Sequence, residues 1–210
     1  AEDFDAALQE LVCRTFTQHK RIIFDGNGYS EEWEKEAARR GLSNLPSTAE
    51  CMPHYVSQKN IDLVTKHHIF TENEFRARYE IHIEAYNKIL NIEALTSIDM
   101  IRRQILPATL KYTEHLANGI LAKDRVGVSH HAETQLIRRL SEAADALYDL
   151  CEKLDNDLRS VPADTAEAAQ YYHNVIVPGM DAARQEADLL ESLTDRSFWP
   201  YPTYEDLLFY

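Results

Sequence analysis

Residues 78–108 read RYEIHIEAYNKILNIEALTSIDMIRRQILPA, and the spacing of their apolar side chains decides the fold. Tyr79, Ile83, Tyr86, Leu90, Ala94, Ile98, Ile101 and Ile105 recur at steps of three or four, which puts them on one helix face. Ile89, Ile92 and Leu95 widen that face and predict a central helix covered on more than one side. Thr71 and Glu74 have capping-box spacing, so the helix is expected to start there. Its pattern lasts to about Asn118 and Gly119, roughly 70 Å at ~1.5 Å per residue. Pro107 lacks an amide hydrogen and clashes with the preceding turn, which predicts a kink or a break between Gln104 and Pro107.

Two more long helices follow from the same reasoning. Leu136, Leu140, Ala143, Leu147, Leu150, Leu154 and Leu158 alternate steps of four and three over most of their length, the spacing of coiled-coil-like packing, and Val161-Pro162 ends the run. Between these two helices Gly119 and Gly127 bracket a weak connecting stretch. Asp164 or Thr165 caps a further helix carrying Ala169, Tyr172, Ile176, Met180, Ala183, Ala187 and Leu190, with Pro178-Gly179 set to kink or split it. No strand alternation is visible, so an all-α antiparallel bundle of long helices is expected over residues 71–210. From Ser197 the chain changes to FWPYPTYEDLLFY, whose aromatics need a surface to cover; this tail is expected to lie ordered against a groove.

Residues 1–70 read differently. Phe4, Leu8, Leu11, Val12 and Phe16 mark a first amphipathic helix with a basic end at Lys20 and Arg21. Ile22, Ile23 and Phe24 form a short apolar run that is either a loop or a strand pairing with another domain. Asp25-Gly26-Asn27-Gly28 is a turn, Ser30 an N-cap and Gly41 a stop for the acidic helix between them. Ser47 and Glu50 make a second capping box, Pro53 keeps that helix short, and residues 57–67 suggest another short helix. The region is expected to be short helices and loops laid on something else.

The chain has 210 residues, 44% of them hydrophobic, with 22 basic against 35 acidic side chains and a net charge of −13, a balance that argues against nucleic acid. No run of about 18 apolar residues points to a membrane span. Cys13, Cys51 and Cys151 are few, distant and without a CxxC spacing, which favours free thiols and a cytoplasmic setting. The opening at Ala1, directly into a helical pattern, suggests a piece of a larger protein.

Chemistry-bearing patterns are weak. Gly26-Asn27-Gly28 lacks the Gly-Lys-Ser/Thr of a phosphate loop. No Glu-x-x-His of a di-iron bundle occurs, and His130, His131 and Glu133 or His67 and His68 suit helix ends better than zinc. Glu80 and Glu84 have Arg76 and Lys88 four residues away, which suggests helical ion pairing; Glu50 and His54 are also four apart. Arg39-Arg40, Arg102-Arg103 and Arg138-Arg139 suggest solvated faces or ion pairs. Glu93 and Asp99 stand within the apolar centre of the long helix. A buried structural hydrogen bond, with Arg102, Arg103 or an amide of another helix as partner, is the expectation for both.

The strings HKRIIFDGNGYSEEW (residues 19–33), KHHIFTENEFRARYEI (66–81), NIEALTSIDM with RRQILPA (91–100 and 102–108) and FWPYPTYEDLLF (198–209) carry a resemblance. Together they make the chain resemble the C-terminal part of type III glutamine synthetases, over nearly its whole length. The resemblance implies a parent enzyme, a glutamate–ammonia ligase, that joins ammonia to glutamate through a γ-glutamyl phosphate, using ATP and magnesium or manganese. It implies catalytic motifs upstream of this segment, and therefore no catalytic, cofactor-binding or metal-binding residue here. It implies a bracing and subunit-contact role, with the parent's own catalytic domain and neighbouring subunits of a stacked-ring homo-oligomer as partners and residues 1–70 packing on that catalytic domain. The alternative from the residues alone is a free-standing acidic helical interaction module without catalysis.

Overall fold

The fold was read from a computed structural model that describes residues 3–202 and 204–208, without the side chains of residues 204 and 205. Two compact units part between Pro46 and Ser47. The sequence pattern changes at residue 70 instead. The two short helices after Ser47 lack a clear apolar period, yet single anchors fix them to the long helix that follows.

In the first unit, Asp3 caps helix α1 (Phe4–His19) by accepting from the Ala6 amide. None of the residues of α1 is buried, so its apolar stripe faces outward along its length. A 3₁₀ turn, Lys20–Ile22, leads to extended backbone at Ile23. No strand occurs among the described residues. The Asn27 side chain accepts from the Tyr29 amide and closes the expected turn. Helix α2 (Glu31–Arg39) starts after Ser30, whose hydroxyl donates to the Asn27 carbonyl rather than accepting from the helix. Gly41, at φ +73°, ends α2 in a Schellman motif, with Leu42 N–H on the Ala37 carbonyl. Arg40 pairs with Glu36 at 2.5 Å, donates to the Arg21 and Ile23 carbonyls and stands 5.9 Å over the Phe24 ring.

The second unit is the helical bundle. Ser47 and Glu50 form the predicted capping box of α3 (Thr48–Tyr55), and α4 (Gln58–Lys66) follows. Ala49 and Met52 of α3 pack with Ile83 and Ala169, and Tyr55 stacks on Phe75 at 4.3 Å. Thr71 and Glu74 form the box that opens α5 (Glu72–Met100). The helical rise then continues through a π-wound segment, Ile101–Ile105, into α6 (Leu106–Arg125). Pro107 therefore perturbs the helix without breaking it. One turn widens, with Leu106 N–H reaching the Ile101 carbonyl five residues back, and the proline enters at the second position of a fresh helix, where its missing N–H costs least. Gly119 lies inside α6, and the stop is Gly127 at φ +70°.

Helix α7 (His131–Arg159) returns along α6 and the π segment. Asp164 then caps α8 (Thr165–Tyr171) through the Ala166 and Glu167 amides. The proline device recurs: a π segment, Tyr172–Ile176, precedes α9 (Val177–Leu193), and Pro178 is the second residue of α9. The core gathers Ala94, Ile98, Ile101 and Ile105 with Leu140, Leu147, Leu154, Ile176 and Leu190. Each fully buried leucine or isoleucine contributes about 1.5–3 kcal/mol by leaving water. The bundle is all-α, with the antiparallel long helices that the stripes predict.

Candidate functional site

The residues with chemical potential are dispersed. Glu93 and Asp99 are exposed, so neither is the buried carboxylate that the sequence suggests. Asp99 pairs with Arg103 one turn on at 2.8 Å, in solvent. Their apolar neighbours Ile92 and Leu95 are themselves exposed, so the surrounding stripe is no sign of burial. Arg102, in the π-wound segment, bridges to Glu152 at 2.6 Å and Asp155 at 2.9 Å on α7. Its hydrogen bond holds the Asp155 carboxyl below the usual range, helped by Arg159.

Ion pairing accounts for Glu84, which meets Lys88 at 3.0 Å, whereas Arg76 meets Glu72 rather than Glu80. Glu50 serves its capping box and lies 3.9 Å from His173 Nε2. His130 joins the turn between α6 and α7, with Asp124 at 2.9 Å on one ring nitrogen and Thr134 at 3.0 Å on the other, while Lys123 pairs with Glu133. His67 and His68 end α4, and His68 takes the left-handed position at φ +52°. Among the described residues no group of three or more His, Cys, Asp or Glu side chains is arranged to hold a metal ion. The turn at Asn27 carries no lysine, and the hydroxyl of Ser30 beside it donates to the Asn27 carbonyl. Among the described residues, too, no helix is long and apolar enough to cross a membrane.

The groove expected under the tail is present in the second unit. A cavity of about 750 Å³ is lined by Met100, Ile101 and Ile105 of the long helix, Met180 of α9, and Trp199 and Tyr201. Arg184, Asp188 and Glu191 also line it, and nothing in their spacing sets them apart from an ordinary solvated helix edge. Asp195 accepts from the Ser197 amide and turns the chain onto the bundle. Phe198 then meets Tyr112 at 5.2 Å and His115 at 5.4 Å. Arg196 pairs with Asp206 of the short helix α10 (Tyr204–Leu208). Burial, then the charge of Asp99, pushes the Tyr201 hydroxyl up, and its oxygen is enclosed without a hydrogen-bond partner. The tail thus packs within its own chain over residues 198–202. Thr203, Phe209 and Tyr210 lie outside the described residues.

Comparison with known proteins agrees with the wording of the sequence. A family profile described as "Glutamine synthetase C-terminal domain" matches residues 7–124. The chain is 35% identical to a glutamine synthetase of Butyrivibrio fibrisolvens over 99% of its length. It is 32% identical over 97% to a type-3 glutamine synthetase of Dictyostelium discoideum, and 29% identical over 98% to a glutamine synthetase of Bacteroides fragilis. It spans only 29–30% of the length of these relatives. The profile runs from α1 almost to the end of α6, and the relatives extend the likeness across the rest of the bundle. The expectation drawn from residues 19–33, 66–81, 91–108 and 198–209 is borne out, and the chain belongs to the glutamine synthetase C-terminal domain family.

Proposed function

We propose that the chain is the non-catalytic helical part of a type III glutamine synthetase whose intact polypeptide ligates ammonia to glutamate at the expense of ATP. The observation that carries this reading is the near-complete alignment of the chain with less than a third of each synthetase. ATP and magnesium or manganese would then be held by the part of the polypeptide outside these 210 residues. Residues 1–70 would pack on that catalytic part, and the bare apolar stripe of α1 supports this, since an amphipathic helix gains little stability until its stripe is covered. Neighbouring subunits of a homo-oligomer are the second class of partner, with exposed Leu207 and Leu208 of the tail and the outer faces of α7 and α9 as candidate contacts. Nucleic acid and membrane are not among the partners proposed, and a cytoplasmic setting belongs to the same proposal, supported by the three free thiols.

The reading is tested in the coding context. An open reading frame continuing several hundred residues upstream with synthetase motifs is expected. A frame closed at Ala1 would leave a free-standing acidic helical module instead.

A further inference from the structure

Helix α5 has two apolar faces and the bundle covers one. Ile83, Ala94 and Ile98 point into the core, while Ile81, Ile89, Ile92 and Leu95 on the other side keep 64%, 56%, 63% and 51% of their surface exposed. Ala85 and Thr96 lie on the same bare arc, which runs for roughly 22 Å along the helix. Helices α7 and α9 differ, because among their large hydrophobics only Tyr148 and Leu189 are exposed. A row of four half-bare aliphatic side chains in the middle of a 29-residue helix marks an interaction surface.

A second copy of the chain is a poor occupant. In a two-fold contact the residue at the axis meets itself. Lys88 stands midway along this face, well exposed and paired along its own helix with Glu84. Two-fold pairing about the midpoint of the face would bring the two Lys88 ammonium groups close together. A different surface avoids that clash, and one tethered to the same polypeptide benefits from a high effective concentration. The relatives carry more than twice this chain's length in further sequence to supply such a surface.

We propose that the outward face of α5, centred on Ile89 and Ile92, is a docking surface for the remaining glutamine synthetase part of the same polypeptide. This rests on the function proposed above. The test introduces Ile92→Cys in a Cys13→Ser background and compares maleimide labelling of the new thiol, by peptide mass spectrometry, in the 210-residue chain and in the full polypeptide. Labelling is expected to be roughly tenfold or more slower in the full polypeptide, because burial removes thiolate access. It should stay slow when the oligomer is diluted to single subunits.

Equal labelling in the two forms would overturn the proposal. So would protection that vanishes on dilution, since the cover would then belong to a neighbouring subunit. Concentration-dependent dimers of the 210-residue chain, dissolved by Ile89→Arg with Ile92→Arg, would name a second copy and overturn it as well. Protection of the introduced thiol in a full polypeptide that ligates no ammonia would uphold the docking face and defeat the synthetase reading, so the two failures are separable.

Discussion

His68 shows how much one backbone conformation matters. Helices α2, α4 and α6 end in the same Schellman arrangement, with the residue after the cap in the left-handed region. Gly41 and Gly127 fill that place in two of them and His68 in the third, where a β-carbon costs about 1–2 kcal/mol. His68→Gly should therefore stabilise the chain by about 0.5–1 kcal/mol, and Gly127→Ala should destabilise it by a similar amount. Urea unfolding of both variants measures this; a loss of stability in His68→Gly would contradict it. Charge adds a pH dependence. Glu36 is held at about 2, first by Arg39 and then by Arg40, and Asp155 is held down by Arg102. Both carboxylates have depressed folded values, so their contribution is complete above the ordinary 4.5 and 3.8 and is lost as pH falls through the folded values. Arg102→Met should lower the melting temperature at neutral pH, and its difference from the parent should shrink steadily below pH 3.8. A difference that stays constant to pH 2 would show that the bridge to Asp155 and Glu152 adds nothing.

At the scale of the element, the helices were legible wherever the 3.6-residue period met burial. Leu140, Leu147 and Leu154 are core residues, as their spacing predicts. Pro107 and Pro178 announced a disturbance but not its form, because a proline tells what bond is missing and not how the preceding turn widens to accept the ring. Gly119 was misread as an end since glycine stops helices at a positive φ, yet here it continues one. That difference is testable. Gly119 is exposed with open space where a β-carbon would go, so Gly119→Ala should stabilise α6 by about 1 kcal/mol. A β-carbon at Gly179 would stand 3.2 Å from Leu154 Cδ1 in the core, so Gly179→Ala should forfeit that gain. Equal stabilisation by both would mean that Leu154 yields freely. For the tail, removal of residues 198–210 bares the groove of Met100, Ile101, Ile105 and Met180 and should lower the melting temperature by several degrees. An unchanged melting curve would show that the tail only rests there.

For the whole molecule, the sequence spoke twice and in different ways. Periodicity disclosed the bundle, because burial forces the pattern. It could not say what covers an apolar residue, and so Ile89, Ile92 and Leu95, with Glu93 and Asp99 beside them, were assigned to an interior where none of them lies. Function was legible only in the wording of residues 19–33, 66–81, 91–108 and 198–209, since the spacing of acids, bases and histidines along the sequence pointed to no reaction. On the proposed function, the bare stripes of α1 and α5 are what a supporting part exposes when the part it supports is elsewhere. The most direct measurement is ATP- and glutamate-dependent ammonia incorporation by the purified 210-residue chain beside its full reading frame. The full polypeptide should turn over and the chain alone should not; robust turnover by the chain alone would contradict its supporting role.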